Sequence, residues 1–292
     1  MAMARTARAL HYMEEDISLN NARVFPRRTK ATPIDDMAFI GMPPRGIQAD
    51  SAEVSVTFTW DKLRGEQLAE EWSNICPTKL GGVAYGEVEG EFEVGRFLQK
   101  GWVITSRGCP NHCWFCYAWR RVKFQELDIK DGWIVQDDNL LACSSQHILD
   151  VFSMLKRQPK KPIFNGGIEA KLLNEWNVNL IVNSKPERIF LAYDTEDDYE
   201  PLVVASKLLQ RAEIIRPKGR IACCYCLIGY PKDTIEKAEF RLERILKLGF
   251  MPFAMLWKKE NSSVLNEEWR RFQRLWARPA IIFSRYKNKY YV

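Results

Sequence analysis

From Gly101 onward the chain alternates short apolar or β-branched stretches with amphipathic stretches of helical spacing, and this rhythm restricts the fold more than any single motif. Strands are predicted at Trp102–Ser106, Trp133–Gln136, Pro162–Phe164, Arg188–Tyr193, Arg220–Ile228 and Met251–Leu256. Helices are predicted between and after them, at Tyr117–Gln125, Ser145–Arg157, Lys171–Asn183, Tyr199–Ala212, Thr234–Leu248 and Asn266–Ala277. Parallel strands need long crossovers, so strand and helix in strict alternation is the signature of a parallel α/β sheet. Six such units fit in about 175 residues, whereas a closed eightfold barrel takes about 250. The expected fold class is therefore α/β, an open partial (β/α)6 TIM-like barrel over residues 101–292.

Polar or glycine-containing groups follow the C-terminal end of nearly every predicted strand, which is the reactive end of such barrels. After the first strand comes CPNHCWFC, residues 109–116, which gathers three of the eight cysteines within eight positions. Soft thiolates close together favour zinc or an iron–sulfur cluster. A structural zinc site wants four protein ligands. His112, Cys143 and His147 are candidates for the fourth, but none stands in a paired-ligand spacing. A cubane cluster usually takes four cysteines, so three would leave one iron for a ligand that is not protein.

The C-x3-C-x2-C run Cys109-Pro-Asn-His-Cys113-Trp-Phe-Cys116, with aromatic Phe115 before its last cysteine, resembles the signature of the radical S-adenosylmethionine superfamily. The resemblance spans about residues 101–260. It implies a [4Fe–4S] cluster on Cys109, Cys113 and Cys116, with S-adenosylmethionine chelating the fourth iron. It further implies reductive cleavage of S-adenosylmethionine to a 5′-deoxyadenosyl radical, which abstracts hydrogen from a substrate. An electron donor such as flavodoxin or ferredoxin is implied as a partner. By place and chemistry, Asp138 with Asn139 would meet the methionine amino group, although the usual glycine pair is missing there. Asn165 and Gly166 would line the cofactor or substrate, Asp194 would bond the ribose hydroxyls, and Ile228 and Gly229 would lie near adenine.

Each of these groups has an ordinary structural reading beside the functional one. Asp and Asn are common turn residues. Asn165-Gly166-Gly167 suits a tight strand-to-helix turn, and Asp194 suits a helix N-cap. Cys223, Cys224 and Cys226 raise the question of a second cluster, but alternation along a strand points them to two faces. Arg120, Arg121 and Lys123 suit an anionic substrate or a solvated helix face. The C-terminal SRYKNKYYV mixes basic and aromatic residues, as nucleic-acid binders do.

The first 100 residues read differently. Prolines and charges in RVFPRRTK, TPIDD and GMPPRG break any periodicity, so an irregular arm wrapping the body is expected over the first 50. A strand at Val54–Trp60, a helix over KLRGEQLAEEWSNIC and a strand and turn in KLGGVAYG then form a small β-α-β extension. In that helix Leu63, Leu68, Trp72 and Ile75 are expected to share the buried face. The extension resembles the end of the cobalamin-binding domain that precedes the barrel in one class of these enzymes. It lacks D-x-H-x-x-G, and the chain has only three histidines, which argues against bound cobalamin.

With 46% hydrophobic and 27% charged residues the chain has the means to bury a core. Its longest apolar run, Phe250 to Trp257, is far too short to cross a bilayer, and no membrane partner is expected. The N-terminus has no apolar leader segment, and the cysteines are clustered. Both suggest a reducing, cytoplasmic setting. A net charge of +6 admits an anionic partner. A small-molecule or nucleotide-like substrate, free or within nucleic acid, is the expectation. The competing expectation is a non-catalytic zinc- or cluster-binding module that recognises nucleic acid.

Overall fold

The computed structural model describes residues 20–86, 91–216, 219–258 and 266–290. The leader reading, the opening of the expected arm at residues 1–19 and the end of the basic–aromatic tail lie outside them. The chain forms two compact units that divide between Tyr85 and Gly86.

The first unit is a four-stranded parallel sheet. Its strands are β1 (Asn21–Phe25), β2 (Ala38–Ile40), β3 (Ser51–Ser55) and β4 (Thr78–Gly81), in the order β2-β1-β3-β4. This corrects two expectations. The first 50 residues are not an irregular arm throughout, and the unit is larger than a β-α-β extension. NARVF forms an internal strand because Ala22 and Val24 alternate into a core while polar Asn21 and Arg23 lie on the other face, half-buried. One helix, α1 (Lys62–Ser73), buries Gly65, Leu68 and Trp72. Leu63 and Ile75, expected on the same face, are 70% and 48% exposed. The Trp72 indole N–H donates to the Gly41 carbonyl at 3.0 Å, which fixes the face that turns inward.

The second unit carries the expected rhythm. Its main sheet contains β5 (Trp102–Val103), β8 (Ile134–Val135), β9 (Ile163–Phe164), β10 (Arg188–Ala192), β11 (Ala222–Ile228) and β12 (Met251–Leu256), all parallel and hydrogen-bonded in chain order. Two further strands, β6 (Ser106–Arg107) and β7 (Gln125–Glu126), form a separate antiparallel pair around a short helix, α2 (Ala118–Arg121). The helix expected over 117–125 is thus one turn long, and its end is a returning strand. The crossovers are α3 (Ser145–Lys156), α4 (Glu175–Ser184), α5 (Tyr199–Arg211) and α6 (Ile235–Lys247), with α7 (Glu267–Trp276) and α8 (Pro279–Tyr290) after the last strand.

Sequence sets these helix starts. Ser144, Asn174, Thr234 and Asn266 each accept a backbone N–H of the first turn, which satisfies a donor that the helix leaves unpaired. One face of the sheet, with Ile189, Leu191, Cys224, Cys226 and Ala254, is buried in a core shared with helix residues such as Val151, Ile181, Leu209 and Leu242. On the opposite face Cys223 and Met251 are buried, whereas Phe190, Tyr225 and Phe253 are half-buried. Among the described residues no helix is long and apolar enough to cross a membrane.

Candidate functional site

The cysteine loop leaves the sheet directly after β5 and is closed at its base. Ser106 pairs with Glu126 and Arg107 with Gln125, and the Leu127 N–H donates to the Thr105 carbonyl at 2.9 Å. Gly108 makes the turn into the loop at φ +75°. A Cβ there would lie 2.6 Å from the Val122 carbonyl oxygen and 2.8 Å from the Phe124 nitrogen, so the two limbs touch through backbone.

Asp137, at the end of β8, holds this base to the sheet. Its buried carboxylate accepts from the Thr105 N–H at 2.6 Å, the Thr105 hydroxyl at 2.5 Å and the Ser106 hydroxyl at 2.9 Å. Burial raises its pKa, and these bonds oppose the rise. Asp138 is exposed and accepts from the Gly108 N–H at 2.9 Å. The two neighbouring aspartates therefore divide the work. One ties the first two strands together, and the other caps the start of the loop.

Within the loop, the Asn111 N–H points at Cys109 Sγ and the Ala118 N–H at Cys116 Sγ, each at 3.4 Å. The Cys113 carbonyl accepts from the Cys116 N–H and from the Trp119 indole. Burial pushes the Cys113 thiol up to about 11, and the nearby Cys116, Asp198, Cys109 and Asp194 add to it. Cys116 is raised as well, chiefly by burial. The Ala118 N–H and the Arg121 charge oppose the rise at Cys116 without cancelling it, so the protein alone favours thiols there and a bound metal would favour thiolates.

A carboxylate behind the loop was not singled out from sequence. Glu169 accepts from Asn111 Nδ2 at 2.8 Å and from Asn139 Nδ2 at 2.6 Å, and the same Asn139 nitrogen lies 3.5 Å from Cys109 Sγ. A carboxylate can only accept, so the Asn139 amide must turn its nitrogen to Glu169. Its oxygen is left buried with no hydrogen-bond partner among the described residues. The only signal for Glu169 was its place at the end of the NGGIE stretch.

The Gly166 and Gly167 backbones pack against Asp137 and Leu140, where a Cβ would come within 2.6 Å of the Asp137 carbonyl oxygen and 2.7 Å of the Leu140 nitrogen. Asn165 donates to Gln136 Oε1 at 2.6 Å and accepts from the Tyr225 hydroxyl at 3.3 Å. Asp194 is not the helix cap. Thr195 and Asp198 form that box, while Asp194 reaches across to accept the Leu227 N–H at 2.8 Å. Burial lifts its pKa to about 7. Ile228 is buried in the core, and Gly229 sits where a Cβ would meet Leu256 and Trp269.

Phe115 packs edge-on to Trp114, and Trp114 edge-on to Tyr230 at 5.6 Å between centroids. The loop after the first strand of the sheet thereby touches the loop after the fifth. Tyr230 in turn lies over the guanidinium of Arg241, which is paired with the buried carboxylate of Asp233.

The remaining candidates for a fourth ligand are otherwise engaged. His112 packs against Trp119 at 4.9 Å, Cys143 is buried, and His147 faces Glu126 at 3.6 Å. Cys224 and Cys226 lie on the core face, and Cys223 on the other, as alternation requires. Among the described residues no three His, Cys, Asp or Glu side chains stand close enough to hold one metal ion. No protein-family model matches the chain, and no curated protein matches it.

Proposed function

We propose that the second unit is an iron–sulfur enzyme in which Cys109, Cys113 and Cys116 hold a [4Fe–4S] cluster that binds S-adenosylmethionine. The observation that carries this reading is the placement of the three cysteines. They lie in one loop, closed at its base, after the first strand of an all-parallel sheet whose strands follow chain order. When bound, the cluster would supply one electron for cleaving S-adenosylmethionine to methionine and a 5′-deoxyadenosyl radical, which takes a hydrogen atom from the substrate.

The residues present fit such a group. Backbone N–H groups already aim at two of the three sulfurs, which lowers the cost of holding thiolate. Asn139, whose amide nitrogen lies 3.5 Å from Cys109 Sγ, has a side-chain oxygen with no partner among the described residues, an acceptor in want of a donor, and the cosubstrate's amino group is one. A cubane spreads its cysteines over separate irons, so its ligands need not converge as those of a single ion do. Asp138 and Asp194 place two further carboxyl groups after the second and fourth strands of the sheet.

The contact between the first and fifth loops, Trp114 on Tyr230, supports a sheet curled into the open partial barrel. Such a barrel would shield a reactive intermediate from water. The reading calls for a small one-electron donor protein and for a nucleotide-like substrate.

The test is anaerobic reconstitution with iron and sulfide, reduction, addition of S-adenosylmethionine, and mass spectrometry for 5′-deoxyadenosine. Four irons per chain and product that is lost in Cys113→Ala are expected. Protein purified without air that carries one zinc and forms no product would overturn the reading in favour of a zinc-binding module.

A further inference from the structure

The half-buried residues on one face of the six-stranded sheet combine a polar chain with an aromatic cluster. Its polar residues at the C-terminal end are Gln136, Asn165 and Tyr225, joined in a chain. Asn165 Nδ2 donates to Gln136 Oε1 at 2.6 Å, and the Tyr225 hydroxyl donates to the Asn165 carbonyl and side-chain oxygens at 3.3 Å. Beside them Phe190 and Tyr225 stack at 4.5 Å with 15° between their planes, and Phe253 stands edge-on to both. None of the five is fully buried. These strand residues carry no charge, and the one strand cation on the face, Arg188, stands one alternation earlier at the exposed start of β10.

The free hydrogen-bonding capacity is biased. Gln136 Nε2 has no partner among the described residues, and the Asn165 amide nitrogen has a second N–H beyond the one given to Gln136. The phenol of Tyr225, held neutral by burial, has lone pairs but spends its proton on Asn165. This end of the face therefore offers mostly donors beside aromatic rings, and no charge among the five residues themselves. Gln136 and Asn165 also immediately precede Asp137 and Gly166, the residues packed together beneath the cysteine loop.

We infer that this face binds the ring of the substrate, and that the ring is a neutral, planar, carbonyl-bearing heterocycle of the uracil or guanine kind. The rings of such bases present carbonyl oxygens as acceptors, whereas adenine has none. Stacking on aromatic side chains suits any base, so the amide donors set the choice. The inference rests on the proposed reaction for its catalytic meaning, but binding to the face needs no cluster.

Ribonucleoside binding to the full chain tests it, by saturation-transfer NMR and titration, both with the reconstituted protein and with cluster-free Cys109→Ala. Uridine or guanosine is expected to bind both forms, at least about tenfold more tightly than adenosine. Gln136→Ala and Asn165→Ala should each weaken that binding about tenfold, the loss of one well-placed hydrogen-bonding group. Tyr225→Phe, which keeps the ring, should weaken it less. Circular dichroism and thermal melting establish that each variant is folded. Absence of binding in both forms of the protein, or binding that the three substitutions leave unchanged, would overturn the inference while leaving the cluster reading standing. Binding without any 5′-deoxyadenosine formation would leave the face in place and remove the reaction.

Discussion

At the scale of single residues, Asp194 makes the sharpest claim. Its carboxyl is lifted to about 7 by burial, against an unfolded value of about 3.9. Between those values the folded chain holds the proton more tightly than the unfolded chain. Stability contributed by this group is therefore present at low pH and is lost as pH rises from about 4 to about 7. Asp194→Asn keeps an oxygen for the Leu227 N–H and removes the charge. In metal-free protein, the melting temperature of the variant relative to wild type should be near parity at pH 4 and rise clearly by pH 8. A gap that is flat across this range would show that Asp194 is not held protonated. The cysteine triplet was legible in sequence because its spacing is local. The Asn111–Glu169–Asn139 bridge was not, because it joins positions 30 and 58 residues apart, and only folding brings them together.

At the scale of elements, the rhythm of strand and helix was readable through most of the second unit. Each element there is either a short apolar run or an amphipathic stretch with a polar cap. Two kinds of element escaped. β1 and β2 are short and are separated by PRRTK and TPIDD, so no window shows a period. β7 is an exposed Gln-Glu pair whose extended backbone comes from its partner across the loop, and side-chain pattern carries no trace of that. The same ladder yields a prediction. Gly108→Ala combines a left-handed φ with a backbone collision at the foot of the loop. It should cost roughly 1–3 kcal/mol in urea unfolding. Amide exchange at Arg107, Gln125 and Glu126 should accelerate, while exchange in β10 and β11 stays slow. Unchanged protection at the foot of the loop would mean that the ladder does not depend on this contact.

At the scale of the whole molecule, a ligand that binds only the folded cysteine loop adds stability by mass action. Protein reconstituted with iron and sulfide should therefore melt at a higher temperature than the same protein stripped by a chelator. Cys109→Ala should melt alike under both treatments. Equal melting of the two wild-type forms would indicate that no cluster engages the loop.

The strand order of the larger unit also bears on how the chain acquires its shape. Each strand of the six pairs with the next one along the chain, across roughly thirty residues, the span of one βαβ unit. No strand must wait for a distant partner, so the sheet can be laid down in the order in which the ribosome releases it. The smaller unit lacks this property. β1 is flanked by β2 and β3, and the chain must pass from one side of it to the other before the sheet is complete. During synthesis the first unit therefore has one arrangement to find before its sheet closes, whereas the second can grow strand by strand from an edge only two residues long.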